Sequence, residues 1–451
     1  PILVGGGLVA AFLCGCLSFP RNASTRESSP AGAARPRRPA QSGFEALRAR
    51  AGTELRSAMR LEREAGAGVV NAAEAKRFLR EAGDYLVRMS RGNGTFVYQA
   101  HSDPEVAYEP EYNLLRHAGT MYALAGVAAV VDVDGARVAL QRAQHFLTRA
   151  CITPLPGEYD LLAVWSYPDI TQSGRFAVAK LGGTGLGLVA LTSVERAWPG
   201  SVPRPYMTGL ARFLDFMQKD NGGFFSMYLP QRGGRWDEWE SLYYPGEACL
   251  GLVQLYELDN DPRWLETAAA GIAYLVRKRQ DQQQVPPDHW ALLATARLLP
   301  HYEKSGQPVP ERAVIRHARQ ICTSMLARQK PHDPDDVLHG CFTSDGRTCP
   351  TATDLEGLLA ALTFLPAEAT ALRTELAGAV VRGIAFLNRS QIRAGRLRGG
   401  VPRRVREFRD DVEDARERTL PGTVRIDYVQ HAASAMLAYG ELLGWFGDDS
   451  D

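Results

Sequence analysis

The chain of 451 residues carries a formal net charge of +1 at pH 7, with 45% hydrophobic and 23% charged residues. This globular composition and balanced charge argue against a nucleic-acid partner and against broad contact with a membrane surface. Length alone would allow two or three domains, but an internal repeat favours a single domain over residues 46–451.

The N-terminal segment has the features of an export signal followed by a tether. Residues 1–17 are apolar and Gly-rich and too short to span a bilayer comfortably, which is typical of a signal-peptide core. Leu13-Cys14-Gly15-Cys16 resembles a bacterial lipobox, in which Cys16 would be lipidated. Residues 18–45, rich in Ser, Pro, Ala and Arg, predict a disordered tether. We therefore expect an exported lipoprotein, periplasmic or outer-membrane associated, that meets the membrane only through its lipid anchor; an ordinary signal peptide is the alternative.

From Asn71 onwards the chain alternates between an amphipathic helix and a nearly all-apolar helix. In the first copy, apolar residues recur at three- and four-residue steps from Phe78 to Met89, which predicts a surface helix. The run Met121 to Val131 has no charge on any side, and a helix that is apolar all round is buried on both sides. The same unit recurs six times, so twelve helices are predicted.

Six such hairpins predict an all-α (α/α)6 toroid, in which the apolar helices form an inner ring. Glycine turns such as Asn221-Gly222-Gly223-Phe224 predict short β-hairpins at the rim. All inner helices of a ring run in one direction, so their N-termini surround one mouth with free N–H donors. Polar clusters open each apolar helix, and we expect them to converge there on a concave site.

The repeat and its rim residues, Asn221 to Phe224, Tyr244-Pro245-Gly246-Glu247 and Asp427-Tyr428, resemble the six-hairpin glycosidase-like superfamily over Asn71 to Phe446. That superfamily includes glycoside hydrolases, polysaccharide lyases and uronyl epimerases. The resemblance implies a carbohydrate-active enzyme that binds an oligo- or polysaccharide, with hydrolysis of a cell-envelope or imported glycan as the first hypothesis. A lyase or uronyl epimerase is the second, and a non-catalytic glycan-binding or assembly lipoprotein is the third.

Glycosidic cleavage needs one protonated carboxylic acid and a second carboxylate across the sugar. The rim offers Glu111, Glu247, Asp288, Asp354, Glu356 and Asp427. Glu247 and Asp427 are predicted as the acid–base pair because they belong to the third and sixth units, on opposite sides of the ring. The alternative is that each merely caps its helix.

Polar residues inside otherwise apolar helices are costly unless they are paired or functional. His117 or His431 is predicted as a further proton carrier, with Arg116 as a clamp for a carboxylate or sugar hydroxyl. In an elimination or epimerisation, Tyr428 or His117 would be the base. The predicted substrate-binding residues are Tyr112, Asn113, Arg116, Tyr244, Asp288, His289, Asp354, Tyr428 and His431. A structural hydrogen-bond network is the alternative for these groups.

Loops late in the chain add two further expectations. Cys341 and Cys349 bracket a turn-like loop and could form a disulfide in an oxidising compartment. No C-x-x-C pair occurs, and Gly182 to Gly185 lacks the Lys-Ser/Thr of a phosphate loop, so neither a metal nor a cofactor is expected. Arginines crowd residues 393–409, which suits an anionic glycan or a solvated charged loop.

Overall fold

The computed structural model describes residues 39–108, 110–405 and 422–446. The predicted signal peptide, the lipobox with Cys16 and most of the tether lie outside these ranges. The first described helix, α1 (Pro39–Glu64), begins inside the range predicted as tether. Within the described ranges, no helix combines the length and the apolar character needed to cross a membrane.

Helical hairpins follow α1 along the chain. They are built from α2 (Ala72–Met89), α3 (Leu114–Ala128), α4 (Ala136–Phe146), a short α5 (Pro168–Thr171), α6 (Leu181–Ala197), α7 (Arg204–Phe216), α8 (Tyr244–Asp259), α9 (Pro262–Arg279), α10 (His289–Leu298), α11 (Glu311–Leu326), α12 (Thr348–Leu362), α13 (Thr370–Ser390) and α14 (Ile426–Leu443). Helix α4 ends in a π-helical turn, Leu147–Cys151. The predicted alternation of amphipathic and apolar helices is confirmed.

The apolar helices close into a ring. Helix α3 packs on α6, α6 on α8, α8 on α10, α10 on α12, α12 on α14, and α14 returns to α3. The amphipathic helices α2, α4, α7, α9, α11 and α13 form the outer layer, and α1 packs against α13 and α14. The predicted (α/α)6 toroid is therefore confirmed.

Glycines allow neighbouring inner helices to approach closely. A Cβ atom added to Gly185 of α6 would lie 2.7 Å from the backbone nitrogen of Ala248 in α8. A Cβ atom on Gly246 of α8 would lie 2.6 Å from the backbone nitrogen of Ala291 in α10. Because backbone atoms cannot move aside cheaply, side chains at these positions would push the ring apart.

Two small antiparallel sheets decorate the rim. Their strands are β1 (Gln99–His101), β2 (Ile152–Leu155), β3 (Glu158–Ser166), β4 (Val178–Lys180), β5 (Met227–Leu229), β6 (Gly234–Trp236) and β7 (Thr423–Arg425). Strand β1 pairs with β7, with Gln99 opposite Arg425, and β2 to β6 form one sheet in chain order. The nine-residue β3 is longer than the short rim hairpins predicted; Glu158 to Asp160 are exposed, and Ala163 to Ser166 are buried.

Candidate active site

A cavity of about 380 Å³, which we call the ring cavity, lies at the N-terminal ends of the inner helices. Six of the residues predicted from the sequence line it: Asn113, Arg116, Glu247, His289, Asp427 and His431. Leu115, Leu186, Tyr243, Trp290, Arg328, Cys349, Pro350, Thr353 and Gln430 complete the wall. Segments more than 300 residues apart in the chain therefore meet around one space.

Two buried imidazoles lie side by side in this wall. The rings of His289 and His431 have centroids 5.6 Å apart and meet edge to face, with Trp290 packed beside both. Nδ1 of His431 is 2.7 Å from Oε2 of Glu356, and Nε2 of His289 is 4.0 Å from the same oxygen. Nε2 of His289 is buried and has no hydrogen-bond partner among the described residues. Glu356 occupies Nδ1 of His431. The other ring nitrogen of His431, Nε2, is therefore the one that can contact a ligand.

The two imidazoles have opposite proton affinities. Burial, and then the charge on His431, holds the pKa of His289 well below its usual 6.5. Burial also disfavours protonation of His431, but the Glu356 carboxylate outweighs it, so the pKa of His431 is raised above 6.5. Two imidazoles with unlike proton affinities thus face one cavity, and a pair whose pKa values are pushed apart is the mark of an acid and a base.

Arg116 supplies a fixed positive charge. The side chain of Asn113 caps α3 by accepting from the backbone N–H of Leu115 at 3.0 Å and of Arg116 at 3.3 Å. Arg116 lies in the first turn of α3. Its Nε is 2.9 Å from Asp427, and its Nη1 donates to the Tyr98 hydroxyl. The guanidinium is therefore held at the cavity wall by Asp427 of α14 and by Tyr98, which lies just before β1.

Asp427 is neutralised by two arginines. Arg425 donates to both of its carboxylate oxygens, at 2.6 and 2.9 Å, in addition to the contact with Arg116. Burial opposes ionisation, but these two cations lower the pKa of Asp427 below its usual value. A carboxylate engaged in this way is a poor base, and its main effect is to position the guanidinium groups.

The pKa of Glu247 is shifted in the opposite direction to that of Asp427. It is 4% exposed, and its Oε2 has no hydrogen-bond partner among the described residues. Burial, reinforced by the charge of Asp288, raises the pKa of Glu247 to about 8. Glu247 is therefore protonated at neutral pH and able to donate a hydrogen bond or a proton.

Two predicted carboxylates lie behind the cavity wall. Asp288 is fully buried, accepts from Nη2 of Arg279 at 2.9 Å and caps α10 through the backbone N–H of Ala291 at 3.1 Å. Asp354 accepts from Nη1 of Arg328 at 3.1 Å, and burial raises its pKa to about 7 although Arg328 opposes the shift. Asp288 and Asp354 therefore orient wall elements and do not line the cavity.

His117 lies outside the cavity, which corrects its prediction as a proton carrier. It is fully buried, with Nδ1 2.7 Å from the Tyr112 hydroxyl and Nε2 3.2 Å from the Ala143 carbonyl oxygen. Burial lowers the pKa of His117 to about 4. Both nitrogens are used between α3 and α4, so His117 and Tyr112 tie the inner and outer layers together.

Three other predictions also differ from the observed positions. Tyr244 packs edge-on against Trp239, and Tyr428 lies under the Arg425 guanidinium; neither lines the ring cavity. Cys341 and Cys349 are free thiols, so the predicted disulfide is not formed. Helix α12 begins at Thr348 and turns Cys349 into the ring mouth, whereas Cys341 lies 3.3 Å from the Thr351 hydroxyl.

Glu356 is the main residue that the sequence-based site omits. It appears among the rim carboxylates, but its pairing with His431 on the adjacent helix is a tertiary contact. His289, Glu356 and His431 also have donor atoms within 4.8 Å of one another, a spacing that suits a metal ion. Within this group, Glu356 and His431 are joined by a direct hydrogen bond.

Replacing Arg279 by methionine should destabilise the protein by about 3–5 kcal/mol, because Asp288 would be left as a buried, unpaired charge. Arg60→Met is a matched control: its partner Glu64 is 3.8 Å away and both side chains are mostly exposed, so its effect should stay within about 0.5 kcal/mol. Urea unfolding followed by circular dichroism measures both. A loss below about 1 kcal/mol for Arg279→Met would contradict the assigned role of Asp288.

No protein-family model and no curated protein sequence matches this chain. Its structure is similar to cellobiose 2-epimerase from Bacillus thermoamylovorans, with a TM-score of 0.58 and 14% identity over 81% of this chain and 98% of that chain. It is also similar to a D-mannose isomerase (TM-score 0.54, 14% identity, 82% and 97% covered) and to an α-1,6-mannanase from a Salegentibacter species (0.53, 12%, 82% and 100%). The chain therefore shares the (α/α)6 toroid fold with these structures.

Proposed function

We propose that this protein is a carbohydrate-active enzyme that moves a proton at the carbon next to a sugar carbonyl, as an epimerase or isomerase. The observation that carries the proposal is the pair of imidazoles in one cavity, with the pKa of His289 lowered and that of His431 raised. Two of the similar structures are named as a sugar epimerase and a sugar isomerase, which supports this class. The shared fold alone does not distinguish this reaction from others, because one fold can support many reactions.

The proposed reaction uses groups already in the cavity wall. His289 takes the proton from the sugar carbon: the C–H bond breaks, an N–H bond forms, and the electron pair becomes an enediolate. Arg116 stabilises the negative charge that develops on oxygen, and protonated Glu247 donates a hydrogen bond to it. His431 then returns a proton from Nε2 to carbon, which gives the epimer or the isomer. Positioned acid–base groups of this kind typically contribute about 10²–10⁴-fold in rate.

Glycoside hydrolysis is the second candidate, because Glu247 has the raised pKa of a general acid. Its predicted partner Asp427 forms ion pairs with two arginines. Asp427 is therefore a poor base, which makes Glu247 and Asp427 a poor acid–base pair for hydrolysis. A variant of the Salegentibacter mannanase with two adjacent aspartates replaced is named as inactive. Among the described residues of this chain, adjacent aspartates occur at Asp335-Asp336, which do not line the ring cavity.

Incubation in deuterium oxide with reducing mono- and disaccharides and with uronate oligosaccharides distinguishes these reactions. We expect a new epimer or ketose that carries one non-exchangeable deuterium next to the carbonyl carbon, detected by NMR. Deuterium at C5 of a uronate, or an unsaturated absorbing product, would indicate the lyase or uronyl epimerase. Release of new reducing ends without carbon-bound deuterium would refute the proposal in favour of hydrolysis.

A further inference from the structure

A second polar groove, which we call the α4 groove, lies between α4 with its π-turn and the segment that joins α6 to α7. Its volume is about 410 Å³, and it shares no lining residue with the ring cavity. One wall presents Arg137, Gln141, His145 and Arg149, and the other presents Trp198 and Tyr206. Nothing in the reaction proposed above uses this groove.

The helical wall of the groove is a stripe of exposed polar side chains. Arg137, Gln141, His145 and Arg149 follow one another at four-residue steps, so they share one face of α4, and all four are exposed. Arg137 and Arg149 are twelve residues apart, which corresponds to about 18 Å along a helix. The stripe ends in the π-turn Leu147–Cys151, a distortion that is frequent at functional sites.

The positive charge of the groove has no counter-charge in its walls. The lining contains no aspartate or glutamate, and neither Arg137 nor Arg149 pairs with a carboxylate in the described part of the chain. Glu195 lies in the neighbouring turn of α6, but its two oxygens accept from the backbone N–H of Gly200 at 2.7 Å and of Val202 at 2.9 Å. It therefore fixes the opposite wall.

The two walls are also fixed to each other. Nε2 of Gln144 on α4 donates to the Ser201 carbonyl oxygen at 2.9 Å. The backbone N–H of Ser201 donates to the carbonyl oxygen of Trp198 at 3.1 Å. The groove is therefore formed before a ligand arrives, which lowers the entropic cost of binding.

We propose that the α4 groove binds an acidic oligosaccharide, with its anionic groups on Arg137 and Arg149 and a sugar ring against Trp198. Guanidinium groups bind carboxylate and sulfate in bidentate fashion, and aromatic rings pack against apolar faces. Because the two arginines are spaced by about 18 Å along the helix axis, an extended ligand with several anionic groups suits them better than a single small anion. A nucleic-acid strand is the less favoured occupant, because the formal net charge of the chain is only +1.

Calorimetric titration of the full chain tests the proposal with two probes of equal length, a hexamer of galacturonic acid and neutral cellohexaose. We expect the acidic hexamer to bind more tightly than cellohexaose, with an affinity that falls as salt is added. Absence of binding by the acidic hexamer would overturn the proposal. Tighter binding of a single-stranded hexanucleotide would overturn it as well, in favour of a nucleic-acid site.

Variants locate the binding on the surface. Arg137→Gln combined with Arg149→Gln should weaken binding of the acidic hexamer by about tenfold or more. Arg312→Gln combined with Arg316→Gln removes the same charge from exposed positions of α11 and should leave the affinity unchanged. Equal losses in the two double variants would show that binding follows only the net charge and would refute the groove. Turnover in the ring cavity is measured separately, so failure here is distinguishable from failure of the proposed reaction.

Discussion

Replacing His431 by glutamine should lower kcat by about 10²–10⁴-fold while the protein stays folded. The reason is that Nε2 of His431 carries the proton returned to carbon, and an amide side chain cannot donate it. His289→Gln should cause a loss of similar size, because the neutral imidazole that takes the proton is removed. Steady-state kinetics on the sugar converted in deuterium oxide measures both.

His332→Gln is the matched control for these variants. His332 lies on a surface loop, 3.3 Å from Asp336, and does not line the ring cavity. Its replacement should leave kcat within about twofold of the parent, because surface changes rarely exceed about 0.5 kcal/mol. If His289→Gln or His431→Gln retained parental turnover, the assignment of that imidazole as a proton carrier would be refuted.

Replacing Glu356 by glutamine should move the alkaline limb of the pH–rate profile to lower pH. Activity needs His289 neutral and His431 charged, so it falls in acid as His289 is protonated and in alkali as His431 loses its proton. The Glu356 carboxylate is the main group that raises the pKa of His431 against burial. Without it, only the charge of Asp427 opposes the effect of burial, so the pKa of His431 falls and the pH range of activity narrows from its alkaline side.

The control for Glu356→Gln is Glu441→Gln. Glu441 lies on α14, ten residues after His431, and has no contact with that imidazole. Its replacement should leave the alkaline limb in place. A Glu356→Gln variant with lower kcat but an unmoved alkaline limb would show that Glu356 only packs against His431 and does not set its charge.

The helices and their ring could be predicted because each inner helix is apolar along its length. Such a helix can only be buried on both sides, and six of them paired with amphipathic helices leave few alternatives to a closed ring. The long strand β3 was not predicted because its exposed half, Glu158 to Asp160, breaks the apolar run that indicates a strand.

The site could be predicted as a region but not as a set of side-chain roles. A polar cluster at a helix start places several residues near the ring mouth, yet neighbours in sequence point in different directions. Asp288 turns back to Arg279, whereas the adjacent His289 faces the cavity. Tyr112 bonds to His117 behind the wall, whereas Asn113 lines the cavity.

The charge states of the site residues could be predicted only in part, because several of their partners lie on other helices. Glu247 and Asp427 are both carboxylates at helix starts; only Asp427 has an arginine close in sequence, Arg425, and its second cation, Arg116, comes from α3. Burial without a cation raises the pKa of Glu247, whereas two arginines lower that of Asp427. The same holds for His431, whose charge depends on Glu356 from the neighbouring helix α12.

NMR titration of the imidazoles, with signals assigned by their loss in His289→Gln and His431→Gln, measures the asymmetry on which the proposed chemistry rests. We predict that the signal of His289 titrates below pH 6.5 and that of His431 above it. Titration of both near 6.5, or in the reverse order, would contradict the assignment of one imidazole as base and the other as acid.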